Sequence, residues 1–296
     1  MRVSLVVCTK DRPAELMLCL GSIREQTVLP EEVIIVDAGK DDAARQVSMS
    51  WQSEAGVEVK YIRARPGLAS QRNIGAQSSE GEIIGFLDDD LVMDKRCLEG
   101  IKSLFKEDAG IGGAGCFDTA TCRISWPKRL FWRIFMLPRF DGKGKIQPSG
   151  YPAFSGSPGR RTPVECLQGT AFYKKDVFDK LRFDEGIPAS GGMEDVDFSF
   201  SVSRYYKLVQ TSDAKVYHRF SFVARPLPER VVYMMIYYHY RFFKKYCAVS
   251  FINRLCFVWS AAGEVLRSVY WAVRTRTLSP LTGVFKAYNS IINERR

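Results

Sequence analysis

No apolar run in the chain approaches about 18 residues before a charge interrupts it, so the sequence offers no clean transmembrane span. The opening Met1–Lys10 (MRVSLVVCTK) has too short an apolar core, and no small-residue cleavage site, for a secretory signal. The eight cysteines, at positions 8, 19, 97, 116, 122, 166, 247 and 256, include no C-x-x-C pair. That argues against zinc and for reduced, cytosolic thiols. There is no internal repeat and no disordered, collagenous or coiled-coil bias. What is present is globular: 296 residues, 46% hydrophobic and 26% charged, enough for one sizeable core with a smaller appended piece.

Acidic residues are scarcest at one end of the chain. Residues 219–296 hold 13 Lys+Arg against Glu229, Glu264 and Glu294, whereas residues 1–218 balance 30 basic with 30 acidic side chains. The whole net charge of +10 therefore sits at this end, with 16 of the 37 aromatic residues. A smaller basic-aromatic stretch, 123–145, sets Arg123, Lys128, Arg129, Arg133, Arg139, Lys143 and Lys145 against Asp141 alone. Three readings compete: an anionic membrane surface, a nucleic acid, or a helical subdomain whose aromatics form its own core. The aliphatic residues Val231, Val232, Met234, Met235, Ile236, Leu255, Val258 and Leu266 favour lipid over bases, and no nucleic-acid motif accompanies them. The expectation is a helical region 221–296 that associates with an anionic membrane surface, with 123–145 as a candidate second contact. No nucleic-acid partner is expected, and the location is cytoplasmic, peripheral to the inner face of the membrane.

The first third alternates strand and helix signals. Val3–Cys8, Val33–Val36, Val57–Ile62 and Ile83–Leu87 read as strands; Pro13 onward, Asp41–Glu54, Leu68–Ser78 and Lys95–Lys106 read as helices. Such alternation argues a parallel sheet covered on both faces. Residues 116–165 are dense in Pro, Gly and Ser and read as a long irregular insertion. Met193–Tyr205 has helical character, Lys207–Val216 reads as a strand, and the chain from Val231 on is mostly helical.

Acids end two of the strands: Asp37 after VIIV, and Asp88, Asp89 and Asp90 after IIGFL. Ligands of open parallel sheets bind outside the carboxyl ends of strands, so both groups point to one crevice. Three adjacent aspartates repel one another, and a divalent cation is the natural offset. A capping turn is the plainer alternative. Far downstream lie Gly191, Gly192, Met193, Glu194, Asp195, Val196 and Asp197. Acids that open a helix suit its dipole, and one of them could serve as a general base. His218 follows the Lys207–Val216 strand, where an imidazole would complement an aspartate on a metal. His239, inside the aromatic helical run, reads as structural.

Together these segments resemble a family 2 glycosyltransferase of the GT-A fold, over roughly residues 1–220. The matching segments are Val3–Pro13 (VSLVVCTKDRP), Val33–Gly39 (VIIVDAG), Pro66–Ala76 (PGLASQRNIGA), Phe86–Asp94 (FLDDDLVMD), Gly169–Phe178 and Met193–Phe198 (MEDVDF). The resemblance implies a Rossmann-like, mostly parallel central sheet with helices on both faces, followed by the basic-aromatic extension. It divides the chain into a nucleotide-sugar half at 1–115, an acceptor half at 116–220 and the 221–296 region.

By the same resemblance, Thr9 and Asp11 line the nucleotide turn, Asp37 reads the base, and Arg72 contacts the nucleotide or its phosphates. Asp88 and Asp89 hold ribose and sugar. Asp90 ligates Mn²⁺ or Mg²⁺, with His218 as second protein ligand. Asp195 is the base, Glu194 orients the acceptor, and Gly169 lies on the acceptor side. The implied reaction is inverting transfer from a nucleotide-diphosphate sugar, with UDP or dTDP ahead of GDP, to a lipid-linked or membrane-proximal glycan. Lys174 departs from the more usual Arg, and 116–165 is longer and more basic than a minimal member needs.

Two other classes stay in view. A nucleotidyltransferase would need a Gly-rich phosphate loop after strand one, but no glycine occurs before Gly21. A non-catalytic membrane or nucleic-acid adaptor on a transferase scaffold would have no use for the retained acids.

Overall fold

The computed structural model describes all residues except 121–123, 188–191, 222, 224–225 and 295–296. Gly191, Cys122 and Arg123 thus lie outside the described residues. The chain begins with the units β1 (Val3–Thr9), α1 (Pro13–Arg24), β2 (Glu32–Asp37), α2 (Ala43–Ala55), β3 (Glu58–Arg63), α3 (Leu68–Ser78) and β4 (Ile83–Asp88). It continues through β5 (Leu91–Met93), α4 (Cys97–Glu107), β6 (Ile111–Asp118), α5 (Trp126–Ile134), β7 (Arg139–Gly142), β8 (Lys145–Ile146), β9 (Pro152–Ser155) and β10 (Thr162–Val164). Then follow β11 (Ala171–Lys174), a 3-10 turn at Lys175–Asp179, α6 (Glu194–Ser203) and β12 (Lys207–His218).

Among the described residues one sheet has nine strands, ordered β10-β12-β6-β11-β4-β1-β2-β3, with β5 against β12. The four βα strands β3-β2-β1-β4 are parallel. β11 runs antiparallel between β4 and β6, so the sheet is mixed. The order steps from β1 to β2 on one side and to β4 on the other, which opens a crevice at their carboxyl ends. Register fixes what lines it: Thr9 pairs with Asp37, and Cys8 with Asp88.

Every residue of β1 and β2 is buried, as a strand covered on both faces requires. Alternate side chains enter two cores. Val3, Leu5 and Val7 pack with Leu16, Leu20 and Trp51 on one face, and Val6 and Cys8 with Ala69, Ala76 and Phe198 on the other. Residues 116–165 are more regular than their composition implies. β6 runs on to Asp118, Pro127 sits in the first turn of α5, β7-β9-β8 form a three-stranded sheet, and β10 joins the main one. The turn residues there punctuate short elements instead of replacing them.

The C-terminal region is α7 (Pro228–Phe242), a π turn at Phe243–Cys247, α8 (Phe251–Thr275) and α9 (Ser279–Asn293). The aliphatic residues assigned to lipid divide by helix. Val232, Met234 and Ile236 of α7 are buried, and Val232 and Ile236 pack with Ala287 and Ile291 of α9. Leu255, Val258 and Leu266 of α8 are exposed. The core reading is right for α7, because its apolar face meets α9. His239 is a buried core group, stacked on Tyr151 at 3.4 Å with Nε2 2.8 Å from the Ser149 carbonyl, and burial pushes its pKa down to about 3.

Candidate active site

Each aspartate of the 88–90 triplet lies against a basic side chain. Asp88 Oδ1 lies 3.2 Å from Arg72 of α3, Asp89 Oδ1 3.0 Å from Arg12, and Asp90 Oδ1 3.0 Å from His218 Nε2. Protein side chains thus take up repulsion that the sequence alone assigned to a metal. Arg12 had no assigned role, though it stands in the CTKDRP turn directly after β1. Thr9 adds a hydroxyl donor 2.8 Å from Asp89 Oδ2. Burial, working against Arg12 and Thr9, still pushes Asp89 up to about 6. Burial also disfavours the Asp90 charge, but the hydrogen bond and charge of His218 outweigh it, and its carboxyl is held below the usual range. His218 is raised in turn, because Asp90, Asp88 and Asp118 outweigh the burial that lowers it.

Asp118 was missed by sequence reasoning, although it carries the same signal as Asp37: an acid closing an apolar strand, IGGAGCFD. Its Oδ1 accepts from the His218 backbone N–H at 3.4 Å, and its Oδ2 lies 3.9 Å from His218 Nδ1. Phe220 stacks on the imidazole, with ring centres 4.5 Å apart. The ring is therefore held by Phe220 and Asp118 as well as by its bond to Asp90.

The downstream acids reach the same crevice through Arg72. The guanidinium that meets Asp88 also lies 3.4 Å from Glu194 Oε1. Burial opposes the Arg72 charge, but Asp88 and Glu194 outweigh it and its pKa is raised. Glu194 Oε2 accepts from Gly192 N at 3.1 Å, which turns its carboxylate into the bridge. Asp195 keeps a partly open face, and its Oδ1 accepts from Val196 N at 2.8 Å. Burial first, and the neighbouring Glu194 charge second, push its pKa up to about 7 against the pull of Arg72. Gly169 stands at this junction: a Cβ there would lie 3.1 Å from Arg72 and 3.2 Å from Asp88 Oδ2. Glycine lets the segment before β11 pass this close.

Asp37 and Asp11 lie at the far end of the crevice. Asp11 Oδ1 accepts from Lys40 N at 2.9 Å, which joins the two turns. The Asp37 carboxylate is fully buried and takes donors from Gly39 N, Tyr61 Oη and Arg63, at 2.6, 2.6 and 3.1 Å. A base would share these oxygens with three protein donors. Among the described residues, three of the five non-glycine residues with positive φ sit in site segments: Asp11, Met193 and Phe220. Backbone held in this region costs about 1–3 kcal/mol and collects at functional sites.

Among the described residues no three His, Cys, Asp or Glu side chains form a metal cage. Asp90 and His218 are the donors that converge. One carboxylate oxygen and one imidazole nitrogen fit a Mg²⁺ or Mn²⁺ ion that takes its remaining ligands from substrate phosphates and water.

A strand-end crevice with these acids on a mixed α/β sheet defines the GT-A type of nucleotide-sugar transferase fold. The family model described as "Glycosyl transferase family 2" matches residues 4–180, and the chain belongs to that family. An uncharacterized glycosyltransferase of Nostoc sp. is 29% identical over 113 residues, 38% of this chain and 35% of that protein. The matches to the first three curated relatives span between 26% and 35% of their lengths. Among solved structures, the mannosyltransferase PcManGT from Pyrobaculum calidifontis, in complex with GDP-Man and Mn²⁺, superposes with a TM-score of 0.59 at 15% identity, over 97% of this chain and 87% of that one. Residues 1–349 of TarS from Staphylococcus aureus, in complex with UDP-GlcNAc, give 0.55 at 14% identity, over 99% of this chain and 92% of that one. At these identities the likeness establishes the fold.

Proposed function

We propose that the protein transfers a glycosyl group from a nucleotide-diphosphate sugar to an acceptor hydroxyl, with inversion, and that Asp195 is the base. One observation carries the reading: Arg72 joins the strand-end Asp88 to Glu194, beside Asp195, so acids from distant segments flank one crevice. The donor enters over Thr9 and Asp11, with its base toward Asp37 and its ribose and sugar toward Asp88 and Asp89. UDP and dTDP rank ahead of GDP. Asp90 and His218 hold Mn²⁺ or Mg²⁺, which when bound offsets the charge growing on the departing diphosphate.

The acceptor approaches from the Gly169 and Glu194 side. Its oxygen forms the new bond to the anomeric carbon, the bond from that carbon to the diphosphate oxygen breaks, and the hydroxyl proton passes to the Asp195 carboxylate. An aspartate raised to about 7 is basic enough to take that proton yet still ionised in good part near neutrality. A cavity of about 540 Å³ is lined by Gly192, Met193 and Asp197, which flank Glu194 and Asp195 in the chain without those two lining it, and by Tyr238, Arg241 and Lys245 of the C-terminal region. It supports a large acceptor bound between the two parts of the chain. The acceptor class proposed is a lipid-linked or membrane-proximal glycan at the cytoplasmic face of an anionic membrane, reached through the 221–296 region.

A thermal-shift panel of nucleoside diphosphates, each with and without Mn²⁺, tests the donor and the metal together. Metal-dependent stabilisation by one diphosphate is expected. No stabilisation by UDP, dTDP or GDP in either condition removes the nucleotide-sugar reading.

A further inference from the structure

α8 is polarised in the sense opposite to that of a soluble surface helix. The side chains it buries are small or polar: Ser260, Gly263, Glu264, Ser268 and Ala272. Those it exposes include Ile252, Leu255, Val258, Leu266 and Val273, which are 50–74% accessible. On a helix of 3.6 residues per turn these five fall within one face, opposite the buried set. Burial explains an apolar stripe turned inward; it gives no reason for one turned outward over 25 residues.

A second segment extends the face. α5 exposes Trp126, Leu130 and Ile134 at successive four-residue steps, 73%, 48% and 50% accessible. It is fastened to α8 at one point: Trp259 Nε1 donates to the Ile134 carbonyl at 2.6 Å, and Phe135 stacks on Trp259 with ring centres 4.9 Å apart. A Cβ at Gly263 would come within 2.4 Å of Phe135, so the glycine lets the two segments meet. Cations border the apolar residues: Arg254 and Arg274 on α8, and on α5 Arg133, which also pairs with Asp141 at 3.0 Å. No helix among the described residues is long and apolar enough to cross a membrane. An apolar face with a cationic border on such helices is the chemistry of a helix lying in the plane of a bilayer.

We propose that α5 and α8 together form a bilayer-docking face, with the apolar residues among acyl chains and the bordering cations at anionic headgroups. It rests on the reading of the acceptor as membrane-proximal and fixes which surface meets the lipid: one built from two segments of the chain, with α7 in the core behind it. The occupant is lipid and not a second copy, because a cationic border repels its own image but matches anionic headgroups.

The test is co-sedimentation of the full chain with phosphatidylcholine vesicles, with and without phosphatidylglycerol. Binding is expected to the anionic vesicles, weaker but still present at high salt, since salt screens the cations and leaves the apolar contact. The triple variant Leu255→Glu, Val258→Glu, Val273→Glu should lose at least about tenfold in vesicle affinity. Its melting temperature and diphosphate binding should stay unchanged, because all three positions are exposed. The pair Trp126→Ser, Leu130→Ser should lose less. Wild-type vesicle binding by the triple variant overturns the proposal. So does a wild-type chain that ignores both kinds of vesicle and sediments as a dimer that the triple variant abolishes. Absence of diphosphate binding with vesicle binding intact would instead fault the transferase reading and leave the docking face standing.

Discussion

Asp88 and Glu194 share a single guanidinium, that of Arg72, which lies 3.2 Å from one carboxylate and 3.4 Å from the other in a buried position. Arg72 thus ties the end of β4 to the start of α6. Removing one partner of a buried ionic group costs about 3–5 kcal/mol, because the others are left uncompensated. Arg72→Ala should lower the denaturant midpoint accordingly, measured by urea unfolding. Arg72→Lys should fall between the two, since a point charge on a flexible stem cannot satisfy both carboxylates as the planar fork does. An Arg72→Ala chain with wild-type stability would contradict the bridge.

Asp195→Asn keeps the size of the side chain and removes the proton acceptor. The expected loss in turnover is roughly 10²–10⁴-fold, the ordinary contribution of a positioned base. Diphosphate affinity by calorimetry should stay near wild type, since the proposed donor contacts are made by other residues. Unchanged turnover would remove Asp195 as the base.

The raised pKa of Asp195 makes activity and stability move in opposite directions with pH. Turnover needs the carboxylate, so kcat/KM should climb as pH rises through about 7. Stability should fall over the same approach. An unfolded aspartate releases its proton near 4 and the folded one near 7, so the unfolded state binds fewer protons between them. A melting curve measured from acidic to neutral pH should decline across that window, with the slope reduced in Asp195→Asn. A pH profile identical in wild type and variant would assign the titration to another group.

Asp118 touches His218 at both its ring and its backbone N–H. Asp118→Asn should weaken Mn²⁺-dependent diphosphate binding by about 10–100-fold, as losses of such supporting groups do. Metal-independent binding should change little. The check is a Mn²⁺ titration of diphosphate affinity; equal effects with and without metal would make Asp118 a general stability residue.

Much of the catalytic half was legible from sequence because its signals are local. The runs ending at Thr9, Asp37 and Asp88 are continuous apolar strands with an acid or hydroxyl at the carboxyl end, and a parallel register brings such ends together. α3 matches its expected bounds, Leu68–Ser78. The pairings were not legible. That Arg12 takes Asp89, Arg72 takes Glu194 and Asp118 steadies His218 follows from how β6, α3 and β12 are placed in space, and no spacing encodes it. The ordering within 116–165 was hidden for another reason. Its strands are two to four residues long, too short to show a period, and Gly and Pro mark their ends as readily as they mark a loop.

The seam behind α6 has a practical result for anyone wishing to handle the enzyme. Val196 of α6 packs with Phe154 and Cys166 against Phe242, Phe243 and Cys247, while Lys245 grips Asp197 with both carboxylate oxygens at 3.0 Å. Trimming the chain near residue 220 would not yield a tidy water-soluble catalyst. It would strip a greasy wall and a counter-charge from α6, so surface redesign of α8 is the better route to a manageable preparation.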